Sequence, residues 1–219
     1  RLRPEDADAV GAAGQARRRD GAPAGGILAV SVGAGLALLA AAEPVLAPSV
    51  SAVLTLGGYA SAQELLRYTL TGAYAFGAAR GRGRPDEAAI AQFAIANAEL
   101  MDEAGRRLVA NRDPAMVDAL LGALPPASQH LLSALSPEGR AGRIRAPLFL
   151  VHGRDDPAVP YSETLRLARA AELAGRRAQV AIVGALGHVE PGAGSRWVDL
   201  WRLWGTFYAF AVTSGGPAP

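Results

Sequence analysis

Four short apolar runs divide the chain and predict the strands of a sheet. They cover residues 27–30, 51–56, 146–151 and 179–183, each bounded by glycine, proline or polar residues. Helical patterns separate them, including a small-residue segment that follows Ser31 and ends before Pro44. Because strands that alternate with helices favour parallel pairing, we expect an α/β fold with a mostly parallel sheet flanked by helices.

The middle of the chain has a different pattern, which predicts helices without strands. We expect helices over residues 63–76, 86–108 and 113–124. The arginine and glycine run at 80–85 is interpreted as a solvated loop, with an anion-binding patch as the alternative. The predicted organisation is a first part of the core over 1–58, a helical cap insertion over 59–142 and a second part of the core over 143–219. Two further helices are predicted at the ends of the chain, over residues 4–19 and 195–210.

The segment around Ser31 carries the first chemical signal. Ala29 lies two residues before the serine and Gly33 two residues after it, at the junction of a predicted strand and helix. A serine in such a sharp turn needs small flanking residues, and the turn presents its hydroxyl as a nucleophile. Two other interpretations remain open: a helix N-cap at Ser31, and a membrane span or secretory signal over residues 21–42.

Composition narrows the classes of function. The chain has 219 residues, a formal net charge of +2, no cysteine, and arginine at all 22 Lys+Arg positions. The absence of cysteine excludes disulfides, thiolate metal sites and a cysteine nucleophile. The isoelectric point of about 9.4 reflects a small excess charge and few groups that titrate near neutrality, so it does not indicate nucleic-acid binding.

Two loops after later strands complete a recognisable pattern. Residues 151–160 read VHGRDDPAVP, and Gly187-His188 follows the last predicted strand. Together with the serine turn, in the order Ser31, Asp156, His188, these motifs resemble the C-terminal portion of an α/β-hydrolase, and the resemblance covers nearly all of the chain.

The resemblance implies a role for each residue. Ser31 would be the nucleophile, His188 the general base and acid, and Asp156 the group that orients the imidazole. The backbone N–H of Val32 would be one oxyanion donor. No metal and no cofactor are implied.

Three other residues could in principle take one of these roles. Asp155 is the alternative acid, but the register of the loop favours Asp156. His152 is expected to close its strand structurally, and His130 is expected at the surface.

The predicted function is that of a serine hydrolase that cleaves carboxylic esters through an acyl-enzyme. The alternatives are a non-catalytic α/β-hydrolase-like module for binding or assembly, and a membrane-anchored protein. The family's strands that precede the serine, and the second oxyanion donor they supply, have no counterpart here, so we expect a fragment or a processed chain. We also expect the outer edge of strand 27–30 to be covered by another chain, a second copy or the N-terminal segment. The predicted partner is a small ester, with no nucleic acid and no membrane span, and the cytoplasm is the favoured location.

Overall fold

A four-stranded parallel sheet forms the centre of the molecule. The computed structural model describes residues 3, 5–7, 9, 11–12, 16, 23–184, 186 and 197–215. The strands in chain order are β1 (Gly25–Val30), β2 (Val50–Leu56), β3 (Ala73–Phe76), β4 (Ala79–Arg82), β5 (Leu148–Gly153) and β6 (Ala178–Val183). The order in the parallel sheet is β1-β2-β5-β6. These four strands overlap the four predicted apolar runs, although β5 begins at Leu148 rather than at residue 146, and the predicted α/β fold is confirmed.

Eight helices lie wholly within the described ranges. They are α1 (Val32–Ala41), α2 (Ala62–Thr71), α3 (Glu87–Ala96), α4 (Glu103–Ala110), α5 (Val117–Gly122), α6 (Pro126–Ala134), α7 (Ser162–Leu173) and α8 (Trp197–Gly215). Short 3₁₀ turns add Ala47–Ser49, Ala98–Leu100, Pro114–Met116 and Pro137–Arg143. Most of the predicted helix over 4–19, and residues 195 and 196 of the predicted last helix, lie outside the described residues.

Helices cover both faces of the parallel sheet. Leu38 and Leu39 of α1, with Leu167 of α7, pack against one face and are almost fully buried. Phe207 and Phe210 of α8 pack against the other face. Because central strands are covered on both sides, β2 and β5 are apolar along nearly their whole length.

The segment between β2 and β5 contains a hairpin that the helical prediction missed. The helix predicted over 63–76 ends at Thr71, because Gly72 adopts φ +72° and caps it in the left-handed conformation. The chain then forms the antiparallel pair β3 and β4, turning at Gly77 with φ +57°. The predicted loop at 80–85 is therefore partly a strand. A Cβ on Gly81 would lie 2.5 Å from the Tyr74 hydroxyl, which explains why a residue without a side chain occupies this position.

The prediction of a single helix over residues 86–108 is also wrong. It breaks into α3 and α4 because polar side chains satisfy the backbone at the junction. The Asn97 side chain donates to the Phe93 carbonyl at 2.8 Å, and Asp102 accepts from the Gly105 N–H at 2.8 Å as the N-cap of α4. The Asp113 carboxylate accepts from the Ala115 N–H at 3.0 Å and caps a 3₁₀ turn, which α5 follows.

Two apolar surfaces remain exposed in the part of the chain that the structure describes. Strand β1 lies at the edge of the sheet, with Leu28 52% exposed. The outer side of α8 presents all the tryptophans, and Trp197 is 81% exposed. This helix continues to Gly215, beyond residue 210, where the sequence predicts its end. What covers the edge of β1 stays a prediction.

The membrane-span interpretation of residues 21–42 is wrong. Their apolar part is divided between strand β1 and helix α1, which has only ten residues. Within the described ranges, no helix combines the length and apolar character needed to cross a membrane.

Candidate active site

Ser31 forms the turn between β1 and α1 with a strained backbone. Its φ of 55° and ψ of −135° make it the only non-glycine residue with positive φ in the described part of the chain. The Ser31 N–H donates to the Leu56 carbonyl at 2.8 Å and its carbonyl accepts from the Ala34 N–H at 3.0 Å, so the turn joins sheet and helix directly. Ser31 occupies the N-cap position of α1, and its hydroxyl makes no capping hydrogen bond to the helix.

The steric requirement for small residues lies further along α1 than the sequence predicts. A Cβ on Gly33 would meet nothing within 4 Å among the described residues, whereas a Cβ on Gly35 would lie 2.4 Å from the Tyr59 ring. Tyr59 follows β2, is 1% exposed, and its hydroxyl has no hydrogen-bond partner within the described ranges. Burial raises the pKa of Tyr59 to about 12, so the phenol keeps its proton at neutral pH.

The strain at Ser31 predicts an effect on stability. A residue held in this region costs about 1–3 kcal/mol, and glycine relieves that cost. Part of the gain is offset because glycine gains conformational freedom in the unfolded chain. We expect Ser31→Gly to raise the free energy of unfolding by about 1 kcal/mol in urea titrations, and Ser31→Ala, which keeps a Cβ, to leave it unchanged. Equal stability of the two variants would contradict this prediction.

Asp156 lies buried in the loop after β5, at the same edge of the sheet as Ser31. It is 4% exposed, and its Oδ1 accepts from the N–H groups of Ala158 and Val159 at 2.8 and 2.9 Å. Asp155 is exposed. These two backbone bonds fix the position of the carboxylate in the loop.

His152 is held in place by hydrogen bonds at both ring nitrogens. Nδ1 lies 2.7 Å from the Thr164 hydroxyl, and Nε2 lies 2.9 Å from the Val159 carbonyl. A carbonyl only accepts, so Nε2 carries the proton and Nδ1 accepts from Thr164. Asp156 Oδ2 is 3.4 Å from Nε2. The ring is 1% exposed and links the end of β5 to the loop that carries Asp156 and to α7. His130 lies exposed on α6.

Glu163 is a residue that sequence reasoning missed. It lies in the first turn of α7, is 1% exposed, and its Oε2 accepts from the N–H groups of Ala60 and Ser61 at 3.1 and 2.8 Å. Its Oε1 accepts from Arg166 at 3.2 Å. The side chain thus fastens the loop that carries Tyr59. An acidic residue in a first helical turn is common, so the sequence held no signal for this contact.

An apolar cavity of about 420 Å³ opens beside the serine turn. Val32 and Tyr59 line the end near Ser31, and the other walls come from α2, α3, α4 and α6, with the segments that join α3 to α4 and α5 to α6. Val32 is the first residue of α1, so its N–H lies in the first turn, where the helix leaves N–H groups without helical partners. This is the N–H predicted to stabilise an oxyanion. His188, the predicted base, lies outside the described residues.

The strand order, the strained serine turn and the buried acid after β5 together define an α/β-hydrolase. The chain belongs to the prolyl oligopeptidase family, Peptidase_S9, whose model matches residues 71–214.

Solved structures share this fold at low identity. A Mycobacterium tuberculosis puromycin-hydrolyzing peptidase is 19% identical with a TM-score of 0.58, over 95% of this chain and 26% of that one. A puromycin hydrolase is 13% identical with a TM-score of 0.53, over 93% and 24%. The Pyrococcus horikoshii acylaminoacyl peptidase is 17% identical with a TM-score of 0.52, over 90% and 25%.

The chain thus spans about a quarter of each of these structures. No curated protein sequence matches it significantly.

Proposed function

We propose that this chain supplies the catalytic groups of a serine hydrolase of the peptidase type. The observation that carries the proposal is that the strained Ser31 and the buried Asp156 follow β1 and β5, which are separated only by β2. Adjacent strands lie about 4.8 Å apart, so about 10 Å separates the two strand ends. His188 follows β6, the other neighbour of β5, and an imidazole from that loop would bridge the serine and the acid.

The proposed reaction passes through an acyl-enzyme. The Ser31 hydroxyl oxygen attacks the substrate carbonyl carbon while the His188 imidazole takes the hydroxyl proton. The Val32 N–H donates to the oxyanion, and the leaving amine departs with the proton returned by His188. A water molecule then attacks the carbonyl carbon of the acyl-enzyme while His188 takes its proton. The carboxylic acid is released, and His188 returns the proton to the Ser31 oxygen. Asp156 stays ionised throughout and stabilises the imidazolium.

The bond cleaved is proposed to be an amide rather than an ester. The family is that of prolyl oligopeptidases, and the structures of similar fold are described as a peptidase that hydrolyses puromycin and as an acylaminoacyl peptidase. The sequence prediction of carboxylic esters used the same acyl-enzyme chemistry, and the family match favours a substrate with an amine leaving group. Ester cleavage remains open to the same groups, because an alcohol leaves more readily than an amine.

Covalent labelling tests the proposal. We expect a fluorophosphonate to modify the wild-type chain, with peptide mapping confining the adduct to the peptide that contains Ser31, and Ser31→Ala to remain unlabelled. Ser133, an exposed serine on α6, provides a matched control, because Ser133→Ala should label like wild type. A folded chain that stays unlabelled would overturn the proposal and favour the non-catalytic module.

A further inference from the structure

We propose that the outer edge of strand β4 binds an extended peptide segment that carries carboxylates at alternate positions. The segment adds a third strand to the hairpin of β3 and β4, with its acidic side chains beside Arg80 and Arg82. This edge involves neither Ser31 nor the residues proposed to act with it, so it binds the peptide whether or not Ser31 is a nucleophile.

The free edge of β4 presents the backbone groups of two arginines. The Gly83 N–H donates to the Gly72 carbonyl at 2.8 Å, and hydrogen-bonded pairs recur at every second residue of an antiparallel ladder, so Gly81 also bonds to β3. The N–H and C=O groups of Arg80 and Arg82 therefore point away from β3. Within the described ranges, β4 pairs with no strand other than β3. These groups are placed to form the ladder bonds of an added strand.

The same two arginines form a charged face of the hairpin. Arg80 and Arg82 lie opposite two alanines of β3, so small neighbours leave both guanidinium groups exposed. Arg84, two residues further on, is exposed as well. None of these three arginines forms an ion pair with a described residue, and Arg80 bonds only to a carbonyl of its own turn, at 3.3 Å. The hairpin therefore carries positive charge that an anionic partner would neutralise.

The spacing of this charge matches an extended peptide. Alternate residues of a strand lie on one face about 6.7 Å apart, and an added strand has the same repeat. Carboxylates at alternate positions would then lie directly opposite Arg80 and Arg82. Opposite charges in this arrangement stabilise strand pairing, whereas like charges oppose it. The charged edge therefore disfavours a basic strand, including β4 of a second copy, and selects an acidic one.

The other face of the hairpin fixes it to the body of the molecule. The Tyr74 ring packs edge-on against the rings of Tyr68 and Tyr161, with 5.9 Å between centroids in each pair. The Arg166 guanidinium lies 4.8 Å from the centre of the Phe76 ring. Because these contacts already hold the edge in place, only the peptide has to become ordered on binding.

Binding can be measured with short synthetic peptides and the Ser31→Ala chain, which lacks the proposed nucleophile. The probe is acetyl-Thr-Glu-Val-Glu-Val-Thr-amide, titrated by calorimetry at low salt. We expect it to bind at least about tenfold more tightly than the same peptide with lysine for glutamate, and about threefold more tightly than the rearranged acetyl-Thr-Glu-Glu-Val-Val-Thr-amide. Amide hydrogen exchange should slow at Arg80 and Arg82, whose N–H groups acquire partners.

A matched pair of modified peptides separates strand pairing from attraction between charges. In the proposed complex the glutamate N–H groups point towards β4 and the valine N–H groups point to solvent. N-methylation of both glutamates should weaken binding at least about tenfold, because two ladder bonds are lost, whereas N-methylation of both valines should change it less than about twofold. Equal effects of the two modifications would overturn the proposal.

Substitutions in the chain locate the site. Arg80→Gln combined with Arg82→Gln should weaken binding of the alternating peptide at least about fivefold. Arg177→Gln is the control, since Arg177 is an exposed arginine that lies outside the hairpin and precedes β6, and it should change binding less than about twofold. Equal binding of inorganic tripolyphosphate and the alternating peptide would show a site for charge alone, and no binding of any peptide would show a solvated edge. Either result would contradict the proposal, and neither affects the labelling of Ser31.

Discussion

Asp156→Asn is expected to lower kcat by about 10⁴-fold while the chain stays folded. The Asn side chain keeps an oxygen that can accept from the Ala158 and Val159 N–H groups, so the loop after β5 should retain its shape. The amide lacks the negative charge that stabilises an imidazolium, and its NH₂ group favours the wrong tautomer of the histidine. The measurement is the rate of hydrolysis of an acyl p-nitroanilide, with thermal unfolding as the check on folding.

Asp155→Asn provides the matched control for this experiment. Asp155 is adjacent in sequence but exposed, so its replacement should change kcat by less than about twofold, as expected for a solvated surface group. A large loss in Asp155→Asn with activity retained in Asp156→Asn would reassign the acid. A small effect of both would remove the acid from the proposed mechanism.

Glu163→Ala is expected to lower the free energy of unfolding by about 3 kcal/mol. The substitution leaves the N–H groups of Ala60 and Ser61 buried without the carboxylate they donate to, and it removes the nearest of several ion-pair partners of Arg166, at 3.2 Å. Urea unfolding measures the loss. Glu172→Ala is the control, because Glu172 lies on the same helix with an exposed side chain, and it should change stability by less than about 0.5 kcal/mol.

The same residue predicts a pH dependence. Burial raises the pKa of Glu163 above its ordinary value of 4.5, opposed by the bonds from Ser61, Ala60 and Arg166. The folded state then holds the proton more tightly than the unfolded state, so this group's contribution to stability falls as pH rises above 4.5. The difference in the free energy of unfolding between wild type and Glu163→Gln should therefore change as the pH is raised above 4.5. A difference that is constant with pH would show that Glu163 titrates normally.

Local patterns were sufficient to locate the sheet and the strand-to-helix turn at Ser31. Buried parallel strands are continuous apolar runs, so β2 and β5 could be located without any knowledge of their partners. Ser31 was identified because a strand, a small-residue turn and a helix follow one another within a few positions. The spacing around Asp156 distinguished it from Asp155, and the structure buries the former and exposes the latter.

Local patterns failed where two structures compete for the same segment. Residues 73–82 have apolar and aromatic positions that suit a helix or a strand, and the left-handed Gly72 and Gly77 decide for a hairpin. A glycine can adopt either sign of φ, so its conformation is not evident from the sequence. The break between α3 and α4 similarly depends on which backbone groups Asn97 and Asp102 happen to bond.

The sequence by itself determined the class of fold, the order of the strands along the chain and the serine turn, because each depends on residues close together in the chain. Tertiary structure alone decided the clamp from Glu163 to Ala60 and Ser61, the contact of Gly35 with Tyr59, and the cavity beside Val32. These features join segments up to 103 residues apart. Such contacts form only when the apolar faces of the helices have packed, and no spacing along the chain encodes which distant residue will meet which.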